Sequence, residues 1–324
     1  MPVGDRPLFV SWIPGHGRSS ALAREIGADA LFVGTATQAP GTAVLRYLRN
    51  AWATWRALAS ARPSAIVVML PPLPAALTVV AWARRRRARV VLDAHTGVFN
   101  DPKWRWLLWP TLALAKRATA TIVTNEALAA VVRARGGRAL VLHNPPDLAA
   151  AAIRARGGGG VVVVCGWAND EPVDAVLAAV ADIETPVTLT GRPPAGLPSR
   201  HPRVRFSGWL DDDDYTSLIA AADVIVALTT RPHTMQQAGY EALALHVPLV
   251  TSDTAVLREF FQEGAAFTST EPSAIAEAIR TALRNGDQLR EGMRRLHARR
   301  AAGWRIEIDE LRRLVGSPRE GARQ

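Results

Sequence analysis

Twelve short apolar runs, each followed by a stretch with helical spacing, constrain this chain more than any other feature. In the first half they are Leu8–Ile13, Ala30–Val33, Ala65–Leu70, Arg89–Leu92, Thr119–Val123 and Ala139–Leu142. In the second half they are Val161–Cys165, Val187–Thr190, Val204–Phe206, Val224–Leu228, Leu249–Thr251 and Ala265–Thr268. Runs this short and this continuously apolar suit strands buried on both faces, and helices between them imply parallel crossovers. Six and six predicts an α/β chain with two doubly wound parallel sheets. The join is expected between Asn144 and Gly160, where HNPPD leads through a helical patch to four glycines. The two domains are therefore expected at 1–155 and 156–324, each long enough for its own core.

Within this frame the most informative stretch is Arg231 to Ser252, RPHTMQQAGYEALALHVPLVTS. It follows the strand-like run Asp223 to Thr229, and a helix is predicted from Met235 to His246. Pro248 ends it before the next strand. Such a helix opens at the carboxyl end of a parallel strand, where open α/β sheets bind ligands. Backbone N–H groups around Met235, Gln236 and Gln237, with the helix dipole, favour an anion such as a diphosphate. One turn on, Glu241 is placed to accept hydrogen bonds from the vicinal hydroxyls of a ribose.

The string TMQQAGYEALALHVPLVTSD resembles the donor-binding segment of GT-B glycosyltransferases, most like the retaining enzymes of glycosyltransferase family 4. The resemblance extends more weakly over nearly the whole chain. It implies two Rossmann-like domains facing a cleft, a nucleotide-sugar donor held mainly by the second, and retention of anomeric configuration without an added metal or cofactor. The family's second glutamate falls on Glu241 and holds the ribose; Gly239 and Tyr240 belong to the same segment. Its first glutamate, a sugar contact, falls on His233, so this chain departs from the pattern there. Family members place an Arg and a Lys on the diphosphate in the turn Cys165–Pro172. Here Gly166 and Trp167 stand near the first and Glu171-Pro172 near the second, so that pair is missing. Arg18, Arg192 and Arg231, all at strand ends, are the nearest replacements. Phe206-Ser207-Gly208-Trp209-Leu210 resembles the segment near the nucleobase, which assigns Gly208 and Trp209 to the donor. Asp211–Asp214 reads as the acidic first turn of a helix, not a metal site, and Asp170 as a helix cap.

The first half adds two candidate loops. Pro14-Gly15-His16-Gly17-Arg18 joins the first strand to a helix that Ser19 or Ser20 would cap. Gly15 and Gly17 allow close backbone approach, and Arg18 suits a phosphate. Asp93 and His95 end the fourth strand. His95 could act as a base, donate to a phosphate or position an acceptor, and the matching family segment often carries a histidine facing the cleft.

Charge separates the halves. Through Arg156 there are 21 Lys and Arg against 7 Asp and Glu, and beyond it 18 against 22. A first half this basic should meet polyanions. Seven of the ten tryptophans fall before residue 110. Ala43 to Ala61 reads as an amphipathic helix whose stripe is Leu45, Leu48, Trp52, Trp55 and Ala59, with Arg46, Arg49 and Arg56 beside it. That stripe suits either packing on its own sheet or a lipid surface. Lys103 to Arg117 interleaves three Trp with four basic residues, which favours a headgroup interface. Ser64 to Ala83 is apolar and followed by Arg84–Arg87, but Pro71, Pro72 and Pro74 favour a strand, a loop and a short helix over a membrane span. No nucleic-acid motif accompanies the charge.

The single cysteine, Cys165, excludes a disulfide framework, and the opening residues lack the basic and apolar regions of a secretory signal. A cytoplasmic protein is expected, peripheral on the inner face of the cytoplasmic membrane. The expected acceptor is a glycan, a lipid-linked or a small molecule. Two other activities fit the same residues: a sugar-nucleotide epimerase, and a non-catalytic GT-B-like partner subunit.

Overall fold

The computed structural model describes residues 6–15, 17–34, 43–146 and 158–316. The chain forms two units, residues 1–145 with 303–324, and residues 146–302. Most of the expected join, and the tail from residue 317, lie outside the described residues.

In chain order the first unit contains β1 (Leu8–Ser11), α1 (Gly17–Glu25), β2 (Asp29–Phe32), α2 (Ala43–Ala61), β3 (Ala65–Leu70), α3 (Leu73–Arg86), β4 (Arg89–Ala94), α4 (Gly97–Asn100), α5 (Leu108–Ala115), β5 (Ala120–Val123), α6 (Glu126–Arg133) and β6 (Ala139–Val141). Its sheet runs β2-β1-β3-β4-β5-β6 with every pair parallel. Side chains alternate across it. Val10, Ile66, Val68 and Leu92 pack on one face with Leu58 of α2, Trp82 of α3 and Leu112 of α5. Phe9, Val67 and Val91 pack on the other with Leu22, Ile308 and Leu311.

The second unit contains β7 (Val161–Val163), α7 (Val173–Val180), β8 (Val187–Leu189), α8 (Leu197–Arg200), β9 (Val204–Phe206), α9 (Asp212–Ala221), β10 (Val224–Ala227), α10 (Gln237–Leu245), β11 (Leu249–Ser252), α11 (Ala255–Phe261), β12 (Ala265–Thr268) and α12 (Pro272–Arg284). Its parallel sheet runs β12-β11-β10-β7-β8-β9. The strand order reverses between β1 and β3 in the first sheet and between β7 and β10 in the second. Those are the points at which a doubly wound sheet opens a crevice outside its strand ends. The α/β reading, two doubly wound parallel sheets of six, holds.

Local differences have identifiable causes. α10 begins at Gln237, two residues later than expected, so Met235 lies outside it and packs against the core. α1 already begins at Gly17, which places Ser19 inside the helix with its hydroxyl 3.2 Å from Met69 Sδ, not at a cap. The stretches 287–301 and 306–314, which the sequence suggests as two separate helices, are one, α13 (Gly286–Val315). Gly303 does not break it, because an interior glycine costs only about 1 kcal/mol and Ile308, Leu311, Leu314 and Val315 bury just beyond it. Residues 303–324 therefore count with the first unit, where the sequence reading assigned 156–324 to one domain. The apolar stretch from Ser64 divides into β3 and α3 around its prolines. Among the described residues no helix is long and apolar enough to cross a membrane.

Candidate functional site

At the switch point of the second sheet, the loop after β7 and the loop after β10 are fastened together by Asp170. Thr229 Oγ1 donates to Asp170 Oδ2 at 2.7 Å, and the Thr230 backbone N–H to the Asp170 carbonyl at 2.7 Å. The Arg231 guanidinium lies 3.6 Å from Asp170 Oδ1 and also bonds Asn169. Asp170 is thus a latch between two loops, not the cap expected for α7, which starts after Pro172 without a side-chain cap. Trp167 and His233, one in each loop, hold left-handed backbone at φ 60 and 59. Non-glycine residues accept that conformation at a cost of about 1–3 kcal/mol, and such residues cluster at ligand sites.

α10 opens at this corner with no side chain capping it, and Gln236 Nε2 donates instead to the Leu228 carbonyl at 2.9 Å. Two buried oxygens here, Thr234 Oγ1 and Gln236 Oε1, have no hydrogen-bond partner among the described residues. One turn into the helix, Glu241 is 9% exposed. Tyr215 of α9 donates its hydroxyl to Glu241 Oε2 at 2.5 Å. Burial raises the Glu241 carboxyl above its ordinary value, and the hydrogen bonds from Tyr215 and Gln237 only partly counter it. Burial and the Glu241 charge push the Tyr215 phenol up, so it remains a donor. A carboxylate has about four acceptor positions, so a diol can still be held after these two bonds.

Other residues assigned to a donor have structural work instead. Gly239 lets the Phe261 ring approach: an added Cβ would lie 2.6 Å from it. Tyr240 is core, edge-on to Phe260 at 5.3 Å. The Gly166 N–H does not face a ligand, because it donates to Glu171, at 3.0 Å to Oε1 and 3.1 Å to Oε2. The Ala168 N–H joins it at 2.8 Å, so the chain's own carboxylate fills this small anion nest. The Trp167 indole turns away to the Thr190 carbonyl at 3.1 Å and packs on Phe206. Gly191 makes that packing possible, since a Cβ there would meet the Trp167 ring at 2.8 Å.

The Cys165 thiol donates to Glu171 Oε2 at 3.3 Å, and burial together with the Glu171 charge pushes its pKa up to about 12. A thiol held that high is almost wholly protonated near neutrality. In the folded chain at pH 8, Cys165 is expected to stay unmodified by iodoacetamide while the urea-unfolded chain is alkylated, as read by intact mass.

At the outer strands, Gly191 and Gly208 bridge β8 to β9, and Gly208 takes φ 69. The exposed Trp209 and Arg192 follow, with the guanidinium 5.9 Å from the indole centroid. This pair is an open stacking platform. Asp211 caps α9 by accepting from the Asp214 N–H at 2.8 Å, which accounts for the aspartate run. Tyr215 and Asp170 were not read as site residues. Tyr215 follows the acidic run with nothing in the sequence to mark it, and Asp170 has the sequence signature of a cap.

In the first unit, Gly15 (φ 60) and Gly17 have open space around them. Arg18 is not available to a phosphate. Its buried guanidinium bonds Asn144 and the Leu142 carbonyl at 2.9 Å, and pairs with Asp93 at 3.4 Å. Asp93 Oδ2 also lies 3.2 Å from His95 Nε2. Burial alone would raise the Asp93 carboxyl; the Arg18 and His95 charges and hydrogen bonds outweigh it and hold it well below the usual range. His95 remains partly exposed, with its ring oriented by a buried carboxylate.

The family model described as Glycosyl transferases group 1 matches residues 159–285, which include Asp170, the whole of α10 and the Arg192–Trp209 pair. No curated protein matches the chain. Similar solved structures include sucrose-phosphate synthase from Thermosynechococcus elongatus, with TM-score 0.74 and 16% identity over 95% of this chain and 98% of that one. Anabaena HepE in complex with UDP and glucose gives TM-score 0.68 and 16% identity over 95% and 99%. Trehalose 6-phosphate synthase from Burkholderia multivorans gives 0.69 and 12% over 97% and 98%. At these identities the likeness establishes the fold. Two parallel sheets matching such structures across both units give the chain the GT-B fold, and its second unit matches the Glycosyl transferases group 1 model.

Proposed function

We propose that the chain moves a sugar from a nucleoside diphosphate to an acceptor presented at an anionic membrane surface, with retention and without an added metal, as family 4 enzymes do. One observation carries the donor half: the Glu241 carboxylate, held by Tyr215, one turn inside a helix that opens at the switch point. Glu241 accepts from the ribose hydroxyls, and the start of α10 faces the diphosphate. Its dipole stabilises charge that develops on the leaving group, an electrostatic contribution present before the reaction. Trp209 and Arg192 stack on the base side. The unpaired oxygens of Thr234 and Gln236 give sugar hydroxyls acceptors, with His233 beside them on sugar or phosphate. Arg231 supplies positive charge in place of the missing Arg and Lys. His95 serves the acceptor.

Anabaena HepE is solved with UDP-glucose, so uridine diphosphate sugars are the first donors to try. A thermal-shift screen of nucleoside diphosphates and their sugars, followed by nucleoside diphosphate release with the best donor, tests the reading. At least one nucleotide is expected to raise the melting temperature by several degrees at saturating concentration. A flat screen across uridine, guanosine, adenosine and thymidine nucleotides would overturn it.

A further inference from the structure

Helix α2 has two apolar faces, and among the described residues only one of them is covered. Thr54 and Leu58 are buried, and Tyr47, Ala51 and Trp55 pack beside them against the sheet. On the neighbouring face Leu45 is 62% exposed, and Leu48 and Trp52 are each 63% exposed. Positions 45, 48 and 52 share one face at helical spacing. The expected stripe therefore divides: Trp55 goes inward, while Leu45, Leu48 and Trp52 are presented outward. Exposed clusters of large apolar side chains on a folded domain mark an interaction surface.

The charge around this face has one sign. Between Asp29 and Asp93 the sequence has no Asp or Glu and nine arginines. Arg49 and Arg56 lie on the same outward face of α2, and the Arg56 guanidinium sits over the Trp52 ring at 4.6 Å. α3 packs against α2 and ends in Arg84, Arg85 and Arg86, all exposed. Such a surface fits apolar side chains at the depth of the acyl chains with guanidinium groups at the phosphates. Each basic group near an anionic leaflet adds its own attraction.

The geometry points to the outward face of α2, centred on Leu48 and Trp52 and flanked by Arg49, Arg56 and the end of α3, as the surface that docks this glycosyltransferase on an anionic lipid bilayer. The assignment names the site through which the membrane part of the proposed function would operate, and it stands apart from donor chemistry. A protein partner would be expected to place acids opposite so many arginines; a bilayer of anionic lipid supplies the opposite charge and the apolar depth together.

Flotation of the full chain with phosphatidylcholine vesicles, with and without about one third phosphatidylglycerol, tests it. Binding is expected with the anionic vesicles, to weaken as salt is raised, and to be slight with phosphatidylcholine alone. The variant Leu48→Glu, Trp52→Glu is expected to lower the partition coefficient at least about tenfold, since two apolar anchors are replaced by repelled charges. Its circular dichroism and its thermal shift with UDP should match the unsubstituted chain, because both side chains point to solvent. Equal binding by the variant, or no binding to anionic vesicles, would overturn the docking site, as would a lipid-free dimer in sedimentation that the substitutions dissociate. A UDP shift that persists through such a failure would leave the glycosyltransferase reading standing.

Discussion

Replacing Glu241 by alanine is expected to lower kcat/KM for the nucleotide sugar by about 100-fold, with nucleoside diphosphate release as the measurement. Hydrogen bonds from a charged partner contribute about 1.5–3 kcal/mol each, and two such bonds to a diol at the lower end of that range correspond to roughly that factor. Glutamine at this position separates binding from folding. The carboxyl is buried and its pKa is raised in the folded chain. Its contribution to stability is therefore full below the unfolded pKa and is lost as pH rises through the folded value. At neutral pH Glu241→Gln removes a charge that burial opposes, so the melting temperature should hold or rise while donor binding falls. The pH dependence has the same origin. In the proposed reading the ionised carboxylate holds the ribose, so kcat/KM should fall on the acid side at a pH above the ordinary glutamate value of 4.5. Tyr215→Phe leaves the carboxylate but removes the hydroxyl that orients it, and should raise KM more than it lowers kcat. Unchanged turnover in Glu241→Ala would contradict the assignment of this residue.

Asp93→Ala is expected to destabilise the first unit by about 3–5 kcal/mol, because it leaves the buried Arg18 guanidinium without its counter-charge. In a unit of this size that corresponds to a fall in melting temperature on the order of 10 °C. Arg18 and Asp93 are both nearly sealed from solvent, with side chains 4% and 2% exposed, so the pair is little screened. The Asp93 carboxyl is held below its ordinary value in the folded state. Its stabilisation is present above the unfolded carboxylate pKa and disappears as pH falls below that value toward the folded one. The unsubstituted chain should thus lose stability in acid more steeply than the variant. Arg18→Met combined with Asp93→Asn should recover much of the loss, since no charge is then buried alone. A melting temperature within 2 °C of the original in Asp93→Ala would show that the pair contributes little.

The twelve strands were legible because burial on both faces of a parallel sheet is written into each strand alone. Val161–Val163 or Ala65–Leu70 would be buried strands in almost any packing. The place of Glu241 in the fold was legible for a similar reason: a strand, a short loop and a helix with a carboxylate one turn in make a local pattern. The neighbours of Glu241 misled for the same reason. Gly239 and Tyr240 share its segment, but Phe261 and Phe260 claim them, and nothing within the segment shows where those rings lie. Arg18 was read as a phosphate ligand from its glycine-flanked turn, while its partners Asp93 and Asn144 are 75 and 126 positions away.

Two parallel sheets of six and a helix opening at a strand end follow from the order of residues alone, because hydrophobic periodicity and chain punctuation act over a few residues. Which polar groups remain available to a ligand depended on long-range packing. It closed Arg18 and Gly166 in contacts with the chain's own groups, set Tyr215 on Glu241 and Asp170 between two loops, and turned Leu48 and Trp52 outward on α2. A buried charge or N–H accepts whichever partner the fold brings within about 3 Å, and that choice is made by residues far apart in the chain.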